Sequence, residues 1–199
     1  MHLVVVTGFL GSGKTTLAIR LAQEGISCKQ KVAIVVNEIG EIGVDGELMK
    51  QLEAGVWELY SGCICCTLSA DLIPTLEKLE MEYKVDVVII EPTGVAEPEN
   101  ILNGLAYYKE HSLSSKRFLS VLDPLRIKEM YAVLTPLITK QVKGAEVVII
   151  NKKDIAQKEQ LEKARQVIRE LNSDATVWEL SARGAISKEF FKEVLLWKS

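Results

Sequence analysis

The sequence predicts an α/β fold: a doubly wound, mostly parallel sheet with helices on both faces. Apolar, β-branched runs recur at Leu3 to Val6, Val32 to Val36, Val56 to Tyr60, Val85 to Ile90, Phe118 to Leu122, Val147 to Ile150 and Thr176 to Leu180. Several are continuous rather than alternating, as strands buried on both faces are. Between them lie stretches with helical apolar spacing: Lys14 to Glu24, Ser69 to Glu82, Glu97 to Glu110, Leu125 to Lys143 and Lys158 to Leu171. Regular alternation of strand and helix is the pattern of crossover-connected parallel strands. The last stretch, Ser187 to Trp197, sets Phe190, Phe191, Val194 and Leu195 on one helical face, so it is expected to pack on the sheet.

A chain of 199 residues, 48% hydrophobic and 26% charged, suits one domain with a substantial core, so residues 1–199 are read as a single unit. A net charge of -3, with no Lys/Arg run, argues against a nucleic-acid surface. No apolar stretch approaches a membrane span, and Met1-His2 leads directly into a strand without the features of a signal peptide. Of four cysteines, Cys63, Cys65 and Cys66 are bunched, unlike a secreted disulfide framework, which points to the cytoplasm.

Directly after the first strand, Gly8-Phe9-Leu10-Gly11-Ser12-Gly13-Lys14-Thr15-Thr16 fits the pattern G-x-x-x-x-G-K-[ST] and opens a helix. Glycines let the backbone wrap a polyphosphate with its N–H groups inward. Lys14 adds charge between β and γ phosphates, and Thr15 offers a hydroxyl to Mg²⁺. After the strand Val147 to Ile150 comes Asn151-Lys152-Lys153-Asp154. A carboxylate such as Asp154 accepts both N1–H and the 2-amino hydrogens of guanine, a donor pair that adenine lacks. Lys152 can lay its stem along the base, Asn151 can tie the tetrad to the phosphate loop, and Ser181-Ala182 can offer N–H groups to guanine O6. Turn and cap chemistry is the plainer account of Asn151 and Asp154. The strand Val85 to Ile90 ends in Glu91-Pro92-Thr93-Gly94, where Glu91 can hold Mg²⁺ and Gly94 can bring its N–H to the γ-phosphate. The acidic, glycine-rich stretch Asn37 to Gly46 reads as a switch, with Asp45 and Glu41 as candidates to position water, or as a solvated loop.

Ser61-Gly62-Cys63-Ile64-Cys65-Cys66-Thr67 follows the strand Val56 to Tyr60. In an extended segment Cys63 and Cys65 share a face, and a turn brings Cys66 to join them. Three thiolates suit Zn²⁺ or a similar thiophilic ion with one position open, for which Glu41 is a candidate fourth ligand. Buried apolar cysteines and a redox pair are the alternatives. Cys28 reads as a packing residue.

With these segments assembled, the chain resembles the CobW-like metal-trafficking GTPases, relatives of the nickel chaperones of hydrogenase and urease maturation. The resemblance runs almost end to end through the glycine loop, Asn37 to Asp45, Gly62-Cys63-Ile64-Cys65-Cys66-Thr67-Leu68, Glu91 to Gly94 and Asn151 to Asp154. It implies a phosphate-loop GTPase fold of the SIMIBI type, with Glu91 standing where most GTPases carry Asp. It also implies GTP and Mg²⁺ as ligands, slow hydrolysis through Lys14, Thr15 and Glu91, and a zinc or cobalt cargo on the cysteine trio. Delivery would be to a metalloprotein or cobalamin-related system, with a homodimer across the nucleotide face. The further carboxy-terminal domain and histidine-rich stretch of many members are not in this sequence. Two rival classes remain at this point. A small-molecule kinase would need an arginine lid, for which Arg20, Arg117, Arg126, Arg165, Arg169 and Arg183 show no clustering. A metal or redox sensor would use the nucleotide to control a partner contact.

Overall fold

Seven β-branched segments build the sheet: β1 (His2–Gly8), β2 (Val32–Val36), β3 (Val56–Tyr60), β4 (Val87–Glu91), β5 (Ser115–Leu122), β6 (Val147–Ile150) and β7 (Thr176–Glu179). The structure is a computed structural model that describes residues 1–36, 56–60, 72–94, 98–105, 108 and 113–195. The strand order is β3-β2-β4-β1-β5-β6-β7, and every described pairing is parallel. The expectation of a mostly parallel sheet is met in full among the described strands. β1 lies between β4 and β5, where chain direction across the sheet reverses, and ligands of such sheets bind beyond the carboxyl ends of the strands at that point.

The period-2 alternation of the strands divides the core. Val4, Val6, Ile34, Ile89, Val121 and Ile149 face one side, against Leu17 and Leu21 of α1 (Lys14–Ser27). That layer is completed by Phe190, Phe191, Val194 and Leu195 of the last helix. On the other side Leu3, Val5, Ala33, Val35, Val88 and Ile90 meet α2 (Leu72–Met81) and α3 (Pro98–Leu105). Farther along the same face Leu122, Val148 and Ile150 meet α4 (Ile127–Lys143) and α5 (Lys158–Leu171). The final helix is α6 (Lys188–Leu195), and its Phe190 ring stands edge-on to Trp178 and Phe191, with centroids 5.6 and 5.7 Å away. Each fully buried Val, Leu, Ile or Phe contributes roughly 1.5–3 kcal/mol, so this two-sided core holds the strand ends in fixed relation.

Element limits depart from the sequence reading where a neighbour decides them. β5 starts at Ser115 rather than Phe118, because β1 offers its ladder from His2 onward and His2 Nδ1 lies 2.6 Å from Ser115 Oγ. β4 starts at Val87 rather than Val85, because the Val85 N–H turns back to Leu79 O at the end of α2. α4 begins at Ile127 rather than Leu125, since residues 123–126 form a turn in which the Leu125 N–H donates to Asp123 Oδ1. Inside α4 the backbone leaves helical geometry at Leu134, two residues before Pro136, whose missing N–H and bulky ring break the ladder. Cys28, expected to pack, is exposed at the end of α1. Among the described residues no helix is long and apolar enough to cross a membrane.

Candidate functional site

The loop between β1 and α1 is shaped by glycines at positions that reject a side chain. Gly8 has φ +139, and a Cβ there would lie 2.4 Å from Val121 O. Gly13 has φ +100, and its Cβ would fall 2.2 Å from Asn151 Nδ2. A left-handed Gly13 precedes α1 without any side chain capping the first turn, and that turn carries no acidic residue. First-turn N–H groups and the positive end of the helix dipole are thereby directed at one spot, the arrangement that binds a phosphate. Lys14 is buried, and its Nζ donates to Phe9 O (3.2 Å), which holds the ammonium across the loop. Ser12 is buried and acts through its backbone, its N–H donating to Phe9 O (3.1 Å).

Two further strand ends close on this loop. Glu91, the last residue of β4, is buried, and the Thr15 hydroxyl donates to its Oε1 at 2.6 Å. A hydroxyl and a carboxylate set side by side at the mouth of a phosphate loop are hard oxygen donors, so the residues present fit Mg²⁺. Gly94 packs against the loop so closely that a Cβ would lie 2.8 Å from Leu10 N and 3.4 Å from Gly8 O. Its carbonyl accepts from Gln141 Nε2 (3.1 Å), a buried side chain of α4.

The base-side loops are fixed by side chains instead. Asn151, 4% exposed, donates from Nδ2 to Ser12 O (2.7 Å) and accepts the Ala182 N–H on Oδ1 (2.8 Å). One carboxamide thus joins the phosphate loop to the loop after β7. The expected tie from Asn151 to the phosphate loop is present. The Ala182 N–H, expected to serve guanine O6, is donated to Asn151. Lys152 has φ +59, its carbonyl accepts the N–H groups of Ile155 and Ala156 (both 3.1 Å), and its Nζ lies 2.7 Å from Asp123 Oδ2. Lys153 turns away toward Glu179 (3.9 Å), whose carboxylate is gripped by the Arg165 guanidinium. That grip holds the Glu179 carboxyl below the usual carboxylate range.

These loops enclose a cleft of about 460 Å³, lined by Gly11, Gly13, Lys14, Thr15 and Thr16 on one side and by Asn151, Lys152, Asp154, Ser181 and Ala182 on the other. Of the residues named from the sequence, Gly11, Gly13, Lys14, Thr15, Thr16, Asn151, Lys152, Asp154, Ser181 and Ala182 therefore line one cavity, whereas Gly8, Ser12, Glu91 and Gly94 are not part of its lining. Asp154 is exposed at its rim. The structure adds residues that sequence reading missed. Asp123 and Arg126 lie in the turn after β5, and Arg126 Nη1 reaches Leu10 O at 3.5 Å. The Asp-Pro pair closing an apolar strand was the available signal for Asp123. Gln141 interrupts an apolar helix face beside Ile138 and Val142. Glu41, Asp45, Cys63, Cys65 and Cys66 lie outside the described residues. Among the described residues no group of three His, Cys, Asp or Glu could hold a metal ion.

Comparison with known proteins matches residues 2–179 to the family described as CobW/HypB/UreG, nucleotide-binding domain. The chain belongs to this family. The zinc-regulated GTPase metalloprotein activator 1 of Dictyostelium discoideum is 30% identical over 86% of this chain and 44% of its own length. The zinc chaperone YeiR of Escherichia coli is 34% identical over 75% of this chain and 46% of its own. The chain spans less than half the length of either relative. Among solved structures, Zn(II)-bound YjiA GTPase from E. coli superposes with a TM-score of 0.69 at 24% identity, over 96% of this chain and 60% of that one. HypB from Helicobacter pylori in complex with nickel gives 0.65 at 19% identity, over 98% and 86%. At such identities the likeness establishes the shared fold of the family.

Proposed function

We propose that residues 1–199 work as one cytoplasmic GTPase domain, whose nucleotide state sets the metal affinity of a thiolate site on Cys63, Cys65 and Cys66. The observation that supports this most is the Asn151 bridge, since a single buried side chain sets the spacing between the phosphate cradle and the base-side loops. That spacing suits a nucleotide, and the Asp154 carboxylate at the rim suits the guanine donor pair. Thr15 and Glu91 would hold Mg²⁺, which when bound neutralises charge on the β and γ phosphates.

The chain's own groups supply the rest. Lys14 and the first-turn N–H groups stabilise charge on the phosphoryl oxygens. Gly94 is close enough to Leu10 for its loop to sense the γ-phosphate, and Asp45 or Glu41 positions water. Zinc is the cargo supported by the names of the relatives, and cobalt is the competitor that tetrahedral thiolates also accept. Glu41 is the proposed fourth ligand that one nucleotide state adds or removes. The recipient is a metalloprotein, met by the monomer or by a homodimer formed across the nucleotide face.

The test is a competitive Zn²⁺ titration of reduced protein in Mg-GDP and in a non-hydrolysable Mg-GTP analogue. Affinities differing by about 5- to 150-fold between the nucleotides, and lost in Cys65→Ser, are expected. Equal affinities in both nucleotides would separate metal binding from GTP and sink the coupling.

A further inference from the structure

Lys152 is anchored at both ends. Its backbone adopts the left-handed region at φ +59. Lys29 (φ +63) does so at the end of α1, where Gln30 returns its N–H to Gly25 O, but Lys152 follows a strand, and its carbonyl is held by the N–H groups of Ile155 and Ala156. At the other end its Nζ lies 2.7 Å from Asp123 Oδ2. The Asp123 side chain is only 9% exposed, and its other oxygen accepts the Leu125 N–H at 3.0 Å, so the carboxylate cannot follow a wandering lysine. Between these two fixed ends Lys152 is one of the residues lining the nucleotide cleft, together with Asn151 and Ala182.

We propose that Asp123 is a positioning residue for base recognition. It holds the Lys152 ammonium away from the phosphates and thereby presents the aliphatic stem as a flat apolar surface for the face of a purine. This rests on the guanine-nucleotide reading above. A lysine without that anchor loses its rotamer freedom only when the ligand binds, and the loss weakens binding. With Asp123 in place the freedom is already gone in the unliganded protein. The same turn carries Arg126, whose guanidinium reaches Leu10 O in the phosphate loop, so residues 123–126 touch both walls of the cleft.

Equilibrium binding of fluorescent GDP and ADP analogues to the wild type, Asp123→Asn, Lys152→Met and the double variant tests this. Asp123→Asn keeps an acceptor for the Leu125 N–H while removing the charge that holds Nζ. It should weaken GDP about tenfold, and the double variant should bind no worse than Lys152→Met alone, because the two residues act in series. Additive losses in the double variant would overturn the proposal, showing that Asp123 works on the nucleotide or the fold independently of Lys152. Wild-type affinity in Asp123→Asn would overturn it as well. Wild-type protein that binds ADP as tightly as GDP would overturn the guanine reading itself, a result distinct from a failed cycle. Asp123→Ser, which also retains a hydroxyl for the Leu125 N–H, runs the same cycle if the Asn variant does not fold.

Discussion

The two walls of the cleft are built by opposite means. The phosphate side is made by backbone: Gly8, Gly11 and Gly13 all have positive φ, and α1 starts without a side-chain cap. The base side is made by side chains: Asn151 spans two loops, and Asp123 fixes Lys152. A site for phosphate needs converging N–H groups, which only the main chain supplies in number, and any Cβ in their path is an obstruction. A base has a face and an edge, and those are matched by side chains whose own partners hold them still. The two walls should therefore fail differently, one by collision and the other by stranded polar groups.

Collision gives the largest expected effect. Gly13→Ala forces a Cβ to within 2.2 Å of Asn151 Nδ2 at a φ of +100. GDP affinity should fall by about 100-fold, the equivalent of about 2.7 kcal/mol, in a direct binding titration. Stranding comes next. Asn151→Ala leaves Ser12 O and the Ala182 N–H buried without their partner, at about 1–3 kcal/mol each. Urea unfolding of the nucleotide-free protein should show a loss of about 2–6 kcal/mol, whereas substitutions confined to the phosphate wall act mainly on affinity. The two walls meet at this contact, so Gly13→Ala should cost less in an Asn151→Ala background than alone. Full additivity would mean that the walls do not communicate through Asn151.

The same contrast explains what the sequence disclosed. The phosphate wall was legible because backbone geometry demands Gly at fixed spacings and Lys-Thr after them, so the motif is the structure. Strands and helices were legible because their apolar periods match the three core layers. The base wall was legible only in part. Asn151 and Asp154 stand in a tetrad, but Asp123, which fixes Lys152, is 29 positions upstream on a different strand end. Long-range partners leave no local signal, and only the sheet order, which sets β5 beside β6, brings them together. The donation of the Ala182 N–H to Asn151 was invisible for the same reason. Gln141 was hidden because its α4 period reads as apolar packing, while its amide serves Gly94 across the fold.

Behind the base wall the contrast can be sharpened with a pair that touches neither ligand nor cleft. Glu179, at the end of β7, accepts from Arg165 of α5 through both carboxylate oxygens and lies 3.9 Å from Lys153. The Arg165 side chain is 37% exposed and that of Glu179 18%, so solvent screens the pair. Glu179→Gln should destabilise the protein by only about 0.5–1 kcal/mol at neutral pH, with GDP affinity unchanged within about twofold. Because Arg165 lowers the folded-state pKa of Glu179 below its unfolded value, the contribution is complete above the unfolded carboxylate pKa of about 4.3 and is lost as pH falls through the folded value. The stability gap between wild type and Glu179→Gln should therefore close as pH drops below about 4.3. A gap that persists in acid would mean that Glu179 acts through packing on the strand end rather than through its charge. The base wall would then extend back to β7 as a steric support, and the division between a backbone-built and a side-chain-built wall would need a third element.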